Sequence, residues 1–138
     1  MSWELLNAMS VSASGMKAHG HRIRVITENI ANANTTGDTP GADPYRRQQI
    51  TFKNELDRDA GVKKVQVEQV IEDEKSNFKL EYNPDHPAAN AEGYVKMPNL
   101  NTLIEMADMR EAQRTYEANL GMIEQSKSMV MRTIDLLR

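Results

Sequence analysis

Residues 102–137 read TLIEMADMREAQRTYEANLGMIEQSKSMVMRTIDLL, and the spacing of their apolar members decides the fold. Met106, Met109, Gln113, Tyr116, Leu120, Ile123, Lys127, Val130, Ile134 and Leu137 follow one another at alternating steps of three and four. Only Gln113 and Lys127 are polar. Such a stripe over more than four heptads predicts one long amphipathic helix, about 50 Å at ~1.5 Å per residue. Thr102 with Glu105 has the form of a capping box, and Asn101 is an alternative cap. Pro98 lies just upstream, where it cannot interrupt the helix.

The same pattern opens the chain. Across residues 3–31, Leu5, Met9, Ser12, Met16, His19, Ile23, Ile26 and Ile30 repeat at steps of four and three, a second a/d stripe about 40 Å long. Ser2 is placed to cap its start. Asn29, Asn32 and Asn34, then Thr35-Thr36-Gly37, Pro40 and Pro44, mark its end. Gly15 and Gly20 inside it each cost roughly 1 kcal/mol relative to Ala. The helix is therefore weak alone, or its small residues admit a close neighbour, and the two readings are compatible.

Between the helices the periodicity changes. Residues 49–56 and 62–71 read as strands around an Asp59-Ala60-Gly61 turn. Residues 73–77 form a polar turn, 78–82 alternate, and 93–96 follow a proline-bounded loop. A two- or three-stranded antiparallel hairpin is expected, too small to be very stable unaided. The fold class predicted is mainly α: long terminal helices packed as a coiled-coil-like pair, with a small β-hairpin-containing middle segment. The corresponding segments are 1–37, 38–98 and 99–138, the first and last forming two halves of an assembly domain.

Composition narrows the function. The 138 residues are 39% hydrophobic, with two Phe, four Tyr and one Trp, so bulky core material is scarce. Two long apolar stripes have more surface than so small a middle can cover, which predicts burial against partner subunits. Net charge is −3 with both signs interspersed, which argues against a nucleic-acid partner. Without cysteine there is no disulfide framework and no thiolate metal site. No apolar run approaches the ~20 residues of a membrane span, and the N-terminus lacks the form of a cleaved signal peptide.

The residues give no catalytic constellation. His19 and His21 are two apart on a helix, so their rings do not share a face; His19 falls on the stripe and His21 in solvent. His86 belongs to a proline-bounded loop, and Glu72-Asp73-Glu74 reads as a solvated turn. No nucleophile-and-base pair, cofactor motif or metal set is present in the pattern. A structural subunit is predicted rather than an enzyme, with no cofactor and no small-molecule substrate.

Three motifs carry a resemblance. Ser14-Gly15-Met16-Lys17-Ala18, followed by Val25-Ile26-Thr27-Glu28-Asn29-Ile30-Ala31-Asn32-Ala33-Asn34-Thr35-Thr36-Gly37, resembles the N-terminal signature of bacterial flagellar axial proteins, the rod, hook and hook-associated family. The central stretch 86–99 and the C-terminal Glu105–Met109, Tyr116–Asn119 and Lys127–Met129 agree in order, and resemble the proximal-rod members. Ala88 departs from that pattern, where an acidic residue is frequent. The resemblance implies export through the flagellar type III apparatus without cleavage, and helical polymerisation into a periplasmic drive shaft around the export channel. It implies as partners further copies of the chain, the B-, F- and G-type rod proteins, the ring–rod adaptor E and the membrane-ring protein. The assembly interface expected comprises Leu5, Met9, Met16, Ile23, Ile26, Asn29, Ile30, Asn32 and Asn34, with Met106, Met109, Tyr116, Leu120, Ile123, Val130, Ile134 and Leu137. A coiled-coil adaptor or chaperone of the export system is the alternative; it accounts for the heptads but not for the ordered motifs.

Overall fold

The computed structural model describes residues 2–138, with side chains from Trp3 onward, so the expected Ser2 cap lies outside the described residues. Helix α1 spans Ser2–Ala31 and helix α2 Thr102–Leu136. Four strands lie between them: β1 (Gln48–Asp57), β2 (Val62–Glu72), β3 (Lys79–Tyr82) and β4 (Tyr94–Met97).

Each helix ends through asparagine chemistry. After α1, the Asn32 side-chain amide donates to the Glu28 carbonyl at 2.8 Å, and the Thr35 hydroxyl donates to the Asn32 carbonyl at 2.9 Å. These are second bonds to carbonyls that also accept the Asn32 and Thr35 backbone N–H groups at 3.1 and 3.3 Å, so side chains reinforce the last turn. At the start of α2 the cap is Asn101, whose Oδ1 accepts the Leu103 N–H at 3.0 Å. The expected Thr102–Glu105 box does not form, because the Glu105 carboxylate is turned into the interior.

β1 and β2 form one two-stranded sheet, β3 and β4 another. Asp57 builds the first turn: its Oδ1 accepts the Asp59 and Ala60 N–H groups at 3.1 and 3.2 Å, and its Oδ2 holds the Lys64 ammonium at 2.6 Å. Gly61 closes that turn at φ +67°, a left-handed conformation that glycine adopts without Cβ strain. In the second sheet Tyr82 pairs with Tyr94 across an antiparallel register. Gly93 sits at φ +88° there, and a Cβ at this position would stand 2.9 Å from the Tyr82 ring.

The chain divides into two compact units. The first comprises α1 up to Ile23, Thr51–Gln69 and Arg110–Arg138; the second comprises Arg24–Ile50 and Val70–Met109. In the first unit the helices run antiparallel: Gly15 lies against Asn119, Gly20 against Tyr116, and Arg22 faces Glu111 at 3.9 Å. In the second, Val25, Ile26, Val95 and Leu100 supply buried apolar side chains, and Asn29 and Glu105 are buried among them.

The predicted mainly-α, coiled-coil-like architecture is overturned. The molecule is 47% helix and 21% strand, with two small sheets where one hairpin was expected, and the helix pair is not a clear coiled coil. The reason is which face of each helix is turned inward. On α2 the inward line is Glu105, Ala112, Asn119, Ser126 and Thr133, spaced by sevens and one residue out of phase with the Met106–Leu120–Ile134 line. On α1 it is Gly15, Ala18, Val25 and Asn29. Knobs-into-holes packing needs bulky apolar side chains at the seam. Here small and polar ones let the backbones approach, and the first hairpin takes up an α1 flank. His19 meets Phe52 of β1 with ring centroids 5.5 Å apart, and Ser14 Oγ accepts the Val65 N–H of β2 at 3.3 Å.

Candidate assembly surfaces

Asn29 ends the helical signature and is 1% exposed. Its Nδ2 donates to the Gln48 carbonyl at 2.9 Å and to Glu105 Oε2 at 3.2 Å. Its Oδ1 accepts the Tyr45 hydroxyl at 2.7 Å and the Gln48 N–H at 2.9 Å. Both amide protons and both lone pairs are used, the full capacity of an asparagine. Arg47 Nε donates to Glu105 Oε1, and Arg47 Nη2 lies 3.8 Å from Asp108. The Asn99 side-chain Oδ1 in turn accepts the Arg47 backbone N–H at 2.8 Å. One buried cluster thus ties the end of α1, the Tyr45–Gln48 segment and the first turns of α2. Burial raises the Tyr45 phenol to about 12, with the negative charges of Glu28, Glu105 and Glu72 adding to the effect.

The other expected interface residues divide by face. Ile26 is buried, and Leu5, Met9, Met16, Ile23 and Ile30 are partly covered. Asn32 is half-buried and Asn34 exposed. On α2, Met109, Tyr116, Ile123 and Val130 lean toward the intramolecular seam and are half-buried. Met106, Leu120, Ile134 and Leu137 point outward, Leu137 being 84% exposed. They are joined by Leu103, Ile104, Met122, Met129, Met131 and Leu136, and on α1 by Trp3 and Leu6. These exposed apolar side chains are spread round the helices rather than gathered on one face, and the Met106–Leu120–Ile134 line is the part of them that keeps one phase.

The buried roles of Glu105, Arg47, Tyr45 and Asn99 escaped the sequence reading, which took Glu105 for a capping-box residue and weighed only apolar positions in its heptad count. The signal available was the seven-residue spacing of Glu105, Ala112, Asn119, Ser126 and Thr133, five small or polar residues on one line. Among the described residues no group of three or more His, Asp or Glu side chains is placed to hold a metal ion. Among the described residues no helix is long and apolar enough to cross a membrane.

Against known proteins, residues 9–37 match the model of the flagella basal body rod protein family, and residues 91–136 that of the flagellar basal body rod FlgEFG protein C-terminal region. The chain is 53% identical to the flagellar basal-body rod protein FlgC of Agrobacterium fabrum, over 95% of this chain and 94% of that one. It is 38% identical to the FlgC protein of Escherichia coli O6:H1, over 96% and 97% of the two chains. With the FlgC protein of Borreliella burgdorferi it shares 37% identity, over 97% and 98%. Identity at this level along almost the full length, with both rod-family models matching the two helices, makes the chain a member of the FlgC family of flagellar basal-body rod proteins.

Proposed function

We propose that this structural subunit of the basal-body rod polymerises helically through the outward face of α2, building the proximal part of a drive shaft around the export channel. The observation that carries the reading is the phase of the α2 stripe. Its Met106–Leu120–Ile134 line is left in solvent while the small, polar line beside it closes the monomer. Burying that line between subunits removes apolar area from water at about 25 cal/mol per Å², without disturbing the intramolecular seam. Repetition of one heterologous contact gives an open helical tube.

In this reading the chain is a scaffold without catalysis, placed in the periplasm after export with its N-terminus uncleaved. Its neighbours are further copies, the B-, F- and G-type rod proteins, the ring–rod adaptor E and the membrane-ring protein. Leu120→Glu and Ile134→Glu test the reading together. Each should leave urea stability within about 0.5 kcal/mol, as exposed substitutions do, yet abolish swimming and remove the chain from purified basal bodies. Normal motility in both variants would overturn the proposed face.

A further inference from the structure

The first unit contains a groove of about 430 Å³ between α1 and β2. Ser14, Lys17, Ala18 and His21, successive turns of one helical face, line one side; Lys64 to Val67 line the other. Its volume falls in the ~300–1,000 Å³ range of sites that hold a ligand.

β2 has β1 as its sheet neighbour on one side. In an antiparallel pair the N–H and C=O of a given residue point to the same side, and the direction alternates along the strand. The Val65 N–H donates to Ser14 Oγ rather than across the sheet, so Val65 faces the groove. Val67, two residues on, has the same phase and directs its amide and carbonyl there. Ser14 therefore brackets one end of a free strand edge.

The groove is also cationic. None of its lining side chains is acidic. Lys64 is held by Asp57, whereas Lys17 has no ion pair among the described residues. Between Glu4 and Glu28, α1 carries Lys17, Arg22 and Arg24 with no carboxylate, in a chain whose net charge is −3. With the Val65 amide taken by Ser14, the edge offers the Val67 amide beside the Val65 and Val67 carbonyls, so a small anion would meet two acceptors for one donor. An extended backbone, alternating donors and acceptors, matches that row.

We infer that this groove receives an extended, acidic segment of a neighbouring rod subunit, which adds to the β2 edge as a third strand with a carboxylate toward Lys17. Backbone pairing along the edge supplies affinity and Lys17 supplies sequence preference. The inference rests on the reading of the chain as a rod subunit.

The test is photo-cross-linking in motile cells, with a benzophenone amino acid replacing the exposed Gln66 of the full chain. Mass spectrometry of purified basal bodies should locate the cross-link in an extended stretch rich in Asp and Glu. Val67→Pro removes an outward amide without touching the β1 ladder, and should lower cross-link yield roughly fivefold, the loss of one net hydrogen bond. Lys17→Glu should lower it at least as much, and circular dichroism should match the parent for both variants. Cross-links to a helix, to a basic stretch, or to nothing while the chain is present in basal bodies would overturn the inference and leave the rod reading standing. Absence of the unmodified chain from basal bodies would overturn both.

Discussion

Removing the Asn29 amide takes a partner from four groups at once: the Tyr45 hydroxyl, the Gln48 N–H, the Gln48 carbonyl and one Glu105 oxygen. Asn29→Ala should therefore cost about 3 kcal/mol in urea unfolding, since each buried group left without a partner costs roughly 1–3 kcal/mol. The Asn32 side chain bonds to the Glu28 carbonyl at the exposed end of its helix, and Asn32→Ala should stay within about 0.5 kcal/mol. Equal effects of the two would contradict the network. His19 is the pH-sensitive residue. Burial lowers its pKa below the ordinary 6.5, the Arg22 cation lowers it further, and Glu111 only partly opposes them. Its Nδ1 is buried without a partner. Because the folded chain binds this proton less readily than the unfolded one, stability is complete above pH 6.5 and declines below it. His19→Leu should flatten that decline between pH 6.5 and 5, measured by urea midpoint. The separate loss from Asp57, whose carboxyl is lowered by the Lys64 hydrogen bond, should persist at lower pH.

At the scale of elements, the antiparallel α1–α2 contact of the first unit depends on small side chains. Ala112 is 0% exposed, so Ala112→Leu must displace its surroundings and should cost roughly 1–3 kcal/mol. Gly15 is a finer case. A Cβ there comes 3.0 Å from Asn119 Nδ2, the mobile end of a side chain. The gain in helix propensity, up to about 1 kcal/mol, opposes the crowding, so Gly15→Ala should be near neutral in thermal melts. Gly15→Leu should be strongly destabilising. The heptad count located both helices and only part of their inward faces. Of its α2 stripe, Met109, Tyr116, Ile123 and Val130 lean toward the seam, whereas Met106, Leu120 and Ile134 face solvent and Glu105, Ala112, Asn119 and Ser126 close the contact. A helix read in isolation points its apolar line at an unspecified partner. Whether that partner is its own chain or another depends on packing that periodicity does not record.

For the whole molecule, the fully buried apolar set is Ala18, Val25, Ile26, Ala88, Val95, Leu100 and Ala112, without an aromatic ring. So small a core leaves a marginal fold. The isolated subunit should unfold with under about 5 kcal/mol in urea, and its helical circular dichroism should be lost at a lower temperature than in basal bodies. A dilute monomer as stable as the assembled rod would refute coupled folding and assembly. The stability missing from the monomer would come from covering Leu103, Met106, Leu120, Ile134 and their neighbours.

Periodicity and local chemistry, legible in the residues themselves, determined the two terminal helices, the Asp59-Ala60-Gly61 turn, the asparagine stop after α1 and the family resemblance carried by Asn29–Gly37. All of these rest on near neighbours in the chain. The tertiary structure alone decided that the middle forms two sheets, that Asn101 and not Thr102 caps α2, and that Asn29 joins Glu105 across 76 residues. It also decided which α2 line faces solvent. Each of these depends on groups far apart in sequence competing for one place in space, and there the small, polar line prevailed because it alone allows the backbones to close.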